Sequence, residues 1–298
     1  MYISVIIASV GRPQILGETL KSVARQKRSP DEVILVVNSQ ADLPIAPVFG
    51  IEIKTLFSER GSSIQRNRGL ENTSPLSDIV VFLDDDVELS EDYLSKVENY
   101  MELNPDVVGF SGIPVLNRPQ DGLMPHSVAR EILKAQPLSP FTHTDQKGLY
   151  GCNMVSRTYA ARREKFDENL ALYALLEDRD FGIRLRKYGR VTEYSGARVI
   201  HLGTPGGRVS QRQQGYTQIM NPAYLYKKGQ GYNISDIYHG PIKSFFANVA
   251  GVLGLSKSLT PNDPAYYNRS ERLHGNFIAM RDILRGKINP QGVRHVRK

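Results

Sequence analysis

Over its first 110 residues the chain repeats one pattern, a short apolar run followed by a stretch with helical spacing. The runs are Ile3-Ser-Val-Ile-Ile-Ala8, Val33-Ile-Leu-Val-Val37, Ile79-Val-Val-Phe-Leu83 and Val107-Val-Gly-Phe110. They are nearly continuous rather than alternating, which suits strands covered on both faces. Ile51-Glu-Ile-Lys-Thr-Leu56 alternates instead, like a more exposed strand. Between the first two runs Leu16, Leu20, Val23 and Ala24 recur at helical spacing behind Pro13. Ser90 is expected to cap a helix carrying Leu94, Val97 and Met101. Such alternation implies an α/β fold, with an open, Rossmann-like, mostly parallel sheet and helices on both faces. Ligands of such sheets sit beyond the carboxyl ends of the strands.

The pattern weakens from Pro114 to Gly148, where six prolines fall between Pro105 and Pro140, and a long loop or lid is expected there. Order returns at Leu149-Tyr-Gly-Cys-Asn-Met-Val155, with a helix from about Glu177 to Tyr188 and a strand ending at His201. Residues 202–212 are rich in Gly and basic groups, and helical patches follow to residue 298.

Several classes are excluded. One cysteine, Cys152, rules out a disulfide framework or a Cys-based zinc site within one chain. The opening residues have no basic n-region, so they read as a strand rather than a signal peptide, and no apolar run approaches the ~18 residues of a membrane span. A cytoplasmic protein is expected, soluble or attached to the inner face of the membrane. Charge is uneven: residues 209–298 hold 13 Lys/Arg against 4 Asp/Glu, an excess of +9 in a chain of net +7, leaving −2 for residues 1–208. A basic tail suits an anionic membrane surface or a nucleic acid. With no zinc-finger spacing and no aromatic-interleaved RNA signature, no nucleic acid partner is expected. Within this tail Phe245, Val249, Val252 and Leu253 share a helical face flanked by Lys243 and Lys257. The segment is too short to span a bilayer, but it suits the headgroup region, or else a core or homodimer interface.

The strongest chemical feature is Asp84-Asp85-Asp86, directly after the apolar run 79–83. Three carboxylates at the tip of a core strand repel one another and favour a countercharge, such as Mg²⁺ held together with substrate phosphates. A solvated turn capping the next helix is the plainer alternative. Glu177-Asp-Arg-Asp180 opens a helix, where acidic residues suit the dipole but one carboxylate can also act as general base. His201, at a strand end, can complete an octahedral metal site, and Gly206, Gly207 and Arg208 can meet phosphate oxygens. Arg60-Gly-Ser-Ser-Ile-Gln-Arg66-Asn67-Arg68 offers positive charge and amide donors.

In order, Ile6-Ile-Ala-Ser-Val-Gly-Arg-Pro13, Gln65-Arg-Asn-Arg-Gly69, Phe82-Leu-Asp-Asp-Asp86, Gly151-Cys-Asn-Met154, Glu177-Asp-Arg-Asp180 with Arg184-Leu185, and His201 before a Gly-rich loop form a series. Over roughly residues 2–230 it resembles the inverting family 2 glycosyltransferases of the GT-A fold, in particular bacterial members that build polysaccharide. The resemblance implies a metal-dependent hexosyl transfer from a nucleotide-diphosphate sugar to a hydroxyl of a glycan or polyprenyl-linked acceptor. It implies a nucleotide-sugar-binding half over 1–112, an acceptor-binding and catalytic half over 113–212, and a basic, mainly helical extension over 213–298. Asp84 and Asp86 would be the outer members of a DxD motif, with Asp86 and His201 on Mg²⁺ or Mn²⁺ and Asp84 towards the ribose. Asp178 would be the catalytic base. Ala8, Ser9, Arg12, Asn38, Gln65, Arg66, Asp85 and Arg208 would join Asp84 around the nucleotide sugar, and Asn153 and Glu177 would meet the acceptor. Many relatives carry an Asp-rich turn after the second strand, where this chain has Val37-Asn38-Ser39-Gln40-Ala41-Asp42. Asn38 can still bond a pyrimidine edge, leaving UDP and dTDP both open.

Two other readings compete. A sugar-1-phosphate nucleotidyltransferase would carry a Gly-rich, Lys/Arg-containing phosphate loop after the first strand, for which Ser9-Val-Gly-Arg12 is too short. A catalytically inactive nucleotide-sugar-binding module would not need the base and histidine. A Rossmann dehydrogenase is disfavoured because no G-x-G-x-x-G opens the first helix.

Overall fold

A computed structural model describes residues 1–117, 124–136, 142–204, 209–234, 238–255 and 268–296, with backbone alone at 238 and 239. The chain divides into two compact units. The first comprises Met1–Arg60, Ile64–Phe166 and Asp178–Gly207, and the second Gly61–Ser63, Asp167–Glu177 and Arg208–Lys298.

Among the described residues the first unit holds one sheet of nine strands. These are β1 (Ile3–Ser9), β2 (Glu32–Val37), β3 (Ile53–Phe57), β4 (Ile79–Asp84), β5 (Val87–Leu89), β6 (Val107–Asn117), β7 (His143–Asp145), β8 (Asn153–Arg157) and β9 (Arg190–His201). The strand order is β3-β2-β1-β4-β8-β6-β9-β5, with β7 also on β9. The half from β3 to β4 is wholly parallel. Beyond it β8 runs antiparallel to both β4 and β6, while β6 and β9 are parallel.

The apolar runs become the central strands because both faces are covered. Ile3, Val5 and Ile7 pack with Leu16, Leu20 and Val23 of α1 (Pro13–Ala24) and Leu94 and Val97 of α3 (Tyr93–Leu103). On the opposite face Ile6, Val36 and Phe82 meet Leu70 of α2 (Ser62–Glu71), Ala160 of α5 (Thr158–Glu164) and Phe181 of α6 (Glu177–Leu185). Each such fully buried Val, Leu, Ile or Phe side chain stabilises the fold by about 1.5–3 kcal/mol in transfer terms.

The structure departs from the sequence pattern in two places. Asp92 rather than Ser90 occupies the N-cap of α3, and the Ser90 carbonyl accepts the Tyr93 N–H instead. The expected loop after Pro114 contains the end of β6, β7, and a helix, α4 (His126–Ala135). Ala129 and Leu133, one turn apart, bury α4 against Ile200 and Leu202. The buried Glu88 carboxylate clamps it further, bonding His126 Nδ1 at 2.8 Å and Arg130 Nε at 3.1 Å. The flanking prolines hid this short apolar stripe.

The second unit is mainly helical: α7 (Gln211–Lys228), α8 (Lys243–Val252) and α9 (Arg269–Leu284), followed by a 3₁₀ turn at Pro290–His295. A Cβ on Gly215 would lie 1.9 Å from the Arg272 carbonyl oxygen and one on Gly275 2.0 Å from that of Arg212, so only glycines let α7 and α9 approach this closely. Buried Asn248 of α8 donates to Gln218 (3.1 Å) and to Asn276 (2.9 Å), tying the three helices together. This splits the expected apolar face of α8. Phe245 packs into the unit's core, whereas Phe246, Val252, Leu253 and Leu255 are exposed. Lys257 lies outside the described residues. Among the described residues no helix is long and apolar enough to cross a membrane.

Candidate active site

Strand register assembles the acidic cluster. Asp84 ends β4 opposite Ala8 of β1, and the chain turns through Asp85 and Asp86 into β5, where Val87 pairs with His201 at the end of β9. The outer carboxylates each fix one oxygen on the protein. Asp84 Oδ1 accepts from Arg66 Nη2 at 2.9 Å. Asp86 Oδ2 accepts from the Thr204 N–H at 2.8 Å and from Arg12 Nη1 at 3.1 Å. Their other oxygens face the same imidazole nitrogen, with His201 Nε2 at 3.8 Å from Asp84 Oδ2 and 3.3 Å from Asp86 Oδ1.

These three donor atoms lie within 4.8 Å of one another. Two anchored carboxylates and an imidazole on a polar strand tip fit a small divalent cation such as Mg²⁺ or Mn²⁺. Burial works against charge on Asp86, but the hydrogen bond to His201, the charge of Arg12 and the Thr204 N–H overcome it and hold Asp86 below the usual carboxylate range.

Asp85 faces the opposite way. Its fully buried carboxylate accepts from Ser9 Oγ at 2.5 Å, from Arg12 Nε at 3.2 Å and from Arg12 Nη2. Burial pushes its pKa up to about 6 despite the pull of Arg12 and Ser9. The structure therefore places Asp85 beneath the site, where it orients Ser9 and Arg12. Gln65 has a similar place, since its Nε2 donates to the carbonyls of Ser9 (3.1 Å) and Val36 (3.0 Å) and ties the ends of β1 and β2. Exposed Asn38 lies just past β2, with its amide on the Ser58 carbonyl at 3.1 Å.

Asp178 stands in the first turn of α6, half-buried. A Cβ on Gly182 would lie 2.3 Å from the Leu149 backbone nitrogen, so this glycine lets the segment before β8 lie against α6. Gly151, in that segment, comes close enough that a Cβ there would be 3.0 Å from Asp178 Oδ2. Desolvation raises the Asp178 pKa above the ordinary carboxylate value, opposed by backbone hydrogen bonds from Arg179 and Gly151 and by the Arg66 charge. Arg66 is itself buried, reaches the Gly151 carbonyl at 3.3 Å and lies over the Phe166 ring. A carboxylate and a metal-type cluster thus share one arginine. Asp180, next along α6, is fully buried and paired with Arg184 at 2.9 Å, which makes it an anchor for the helix.

The remaining described candidates have partners of their own. Asn153 is fully buried, with its amide on the Gly112 N–H (2.6 Å) and the Gly112 carbonyl (3.2 Å). Glu177 belongs to the second unit, where Ser62 Oγ donates to it at 3.5 Å. Arg208 lies outside the described residues. Asp42 was missed from sequence. Its carboxylate accepts from the Gly11 N–H at 2.6 Å and from the N–H and Oγ of Ser39, both at 2.9 Å, bracing the turn that opens α1. The Ser39-x-x-Asp42 spacing, a capping-box pattern, was the available signal.

The model of Glycosyl transferase family 2 matches residues 4–170, more than half of the chain. The chain belongs to glycosyl transferase family 2. A curated relative, the glucosyl-dolichyl phosphate glucuronosyltransferase of Haloferax volcanii, is 29% identical over 123 residues, 39% of each chain, so this family 2 chain spans about two fifths of that relative's length. Two solved structures share the fold. One is a mannosyltransferase from Pyrobaculum calidifontis in complex with GDP-Man and Mn²⁺, 15% identical with TM-score 0.55, covering 96% of this chain and 87% of that one. The other is S. aureus TarS 1–349 in complex with UDP-GlcNAc, 14% identical with TM-score 0.53, covering 96% and 93%. The α/β architecture of the family 2 chain is thus the GT-A fold.

Proposed function

We propose that this family 2 chain moves a sugar from a nucleotide-diphosphate donor to a hydroxyl of a glycan or lipid-linked acceptor, with inversion at the anomeric carbon. The observation that carries the reading is the convergence of Asp84, Asp86 and His201 at the tip of β4, with Asp178 coupled to the same arginine. A bound divalent cation there would stabilise negative charge on the departing diphosphate. Asp178 accepts the proton of the incoming hydroxyl, and its raised pKa brings it nearer the operating pH than an ordinary carboxylate. A single displacement inverts the configuration, so no nucleophilic side chain is needed. Arg66 neutralises Asp84 and keeps Asp178 from rising further. Ser9 and Arg12, steadied by Asp85, border the place where the nucleotide would lie beyond β1.

The solved relatives carry different bases, so the base is read from this chain's own Asn38, whose amide suits the pyrimidine of a UDP- or dTDP-sugar. The curated relative's name carries a dolichyl phosphate, which supports a lipid-linked acceptor. Peripheral contact with an anionic membrane fits the exposed Phe246, Val252, Leu253 and Leu255 and the +9 excess over residues 209–298. Nothing in the site favours the nucleotidyltransferase or the inactive module. The test is a panel of nucleotide sugars with Mn²⁺, scored by thermal shift and then by the anomeric configuration of the product. A stabilising UDP- or dTDP-sugar and an inverted product are expected; a retained configuration overturns the mechanism.

A further inference from the structure

We propose that Asn117 and Tyr150 are a positioning pair for His201, holding its imidazole with Nδ1 on the Asn117 amide oxygen so that Nε2 is the nitrogen turned to Asp84 and Asp86. The inference rests on the metal reading above and adds the residues that make the imidazole a competent ligand.

Asn117 is the last residue of β6, and its register partner is His201, the last residue of β9. The β6–β9 pairing slips between Gly112 and Pro114 and again between Pro114 and Leu116, and these irregularities bring Asn117 opposite the histidine. Asn117 Oδ1 lies 3.0 Å from His201 Nδ1, and its Nδ2 lies 2.7 Å from the Tyr150 hydroxyl. Tyr150 is fixed in turn. Its N–H donates to Ser111 Oγ at 2.7 Å, and Ser111 Oγ donates to its carbonyl at 3.3 Å.

An amide oxygen only accepts, so facing Nδ1 it requires the proton on that nitrogen. Nε2 is then the nitrogen left to meet a cation, on the side where the two carboxylate oxygens stand at 3.3 and 3.8 Å. The flipped amide would donate to Nδ1 and leave Nε2 with the ring's only N–H proton, which a cation could not displace without leaving an imidazolate. The Tyr150 hydroxyl accepts from Nδ2 and so steadies the amide whose oxygen faces the imidazole. Metal-bound histidines commonly have such a partner on the other ring nitrogen. Tyr150 also precedes Gly151, which supports Asp178, so the pair joins the segment beside the base to the metal ligand.

Asn117 is exposed, so replacing it leaves the core intact. The experiment titrates Mn²⁺ alone into wild type, Asn117→Ala, Asn117→Asp and Tyr150→Phe, with no nucleotide, following free Mn²⁺ by EPR. The His201 tautomer is read by ¹⁵N NMR on the metal-free proteins. Asn117→Ala is expected to bind Mn²⁺ about 10–100-fold more weakly and to lose the Nδ1–H preference, the usual scale for a ligand's hydrogen-bond partner. Asn117→Asp, which still accepts from Nδ1–H, is expected to restore both, and Tyr150→Phe to weaken binding less than Asn117→Ala. Asn117→Ala binding within about twofold of wild type, or Asn117→Asp as weak as Asn117→Ala, overturns the inference. Wild type that binds no Mn²⁺ overturns the metal reading itself, and the inference with it.

Discussion

The buried Arg66 guanidinium donates to Asp84 Oδ1 at 2.9 Å, so the carboxylate that ends β4 turns its other oxygen towards His201. The same cation is one of the charges that restrain the Asp178 pKa. One side chain on α2 thus links the acidic cluster to the candidate base.

The link makes the pH profile informative. Asp178 acts as a base only when ionised, and its pKa lies above the ordinary carboxylate value, so kcat/KM should fall as pH drops through that raised pKa. Arg66→Gln removes a charge that lowers it, so the acid limb should move to higher pH. A limb that stays in place in Arg66→Gln would separate Arg66 from the base.

Asp86→Ala and His201→Ala each remove a donor from a three-residue cluster. Each is expected to weaken Mn²⁺-dependent nucleotide-sugar binding by at least about tenfold in calorimetric titration. Asp85→Asn is expected to act differently. It loosens Arg12 and Ser9, so donor affinity falls more than Mn²⁺ affinity in the absence of donor, where the Thr204 N–H still anchors Asp86.

Asn153 separates structure from substrate contact. Asn153→Ala strips both hydrogen bonds from the Gly112 backbone, and each buried group left unpaired costs about 1–3 kcal/mol. Denaturant unfolding should show that loss, with kcat for the folded fraction unchanged. A normal midpoint with an altered acceptor KM would instead give Asn153 a contact with the acceptor.

The basic second unit has its own test. Salt-sensitive binding to anionic vesicles is expected, and Phe246→Ser with Leu253→Ser should reduce it while donor binding survives. Wild type that ignores anionic vesicles at low salt would mean the exposed apolar residues serve another contact.

Much of this was legible in the residues. The runs at 3–8, 33–37 and 79–83 became the central parallel strands, because continuous apolar segments need cover on both faces. Asp84, Asp86 and His201 converge because strand tips gather what the chain holds far apart. The α4 helix was hidden because its stripe is only Ala129 and Leu133 between proline-rich flanks. Asn117 was invisible for a different reason. It reaches His201 through register slips between β6 and β9, and no local pattern records a register. The partners of Asn153 and Asp85 were not legible either, because no local pattern shows that their side chains bond Gly112 and Ser9.

The most direct test of the account is the turnover of Asp178→Asn at saturating donor with Mn²⁺, alongside donor affinity by calorimetry. Asparagine keeps the shape and can still accept the Arg179 N–H at its amide oxygen, but it cannot take the acceptor's proton. The account predicts unchanged donor binding with turnover lower by about 10²–10⁴-fold, the usual contribution of a positioned general base. Turnover within a few-fold of wild type would contradict it and remove Asp178 from the chemistry.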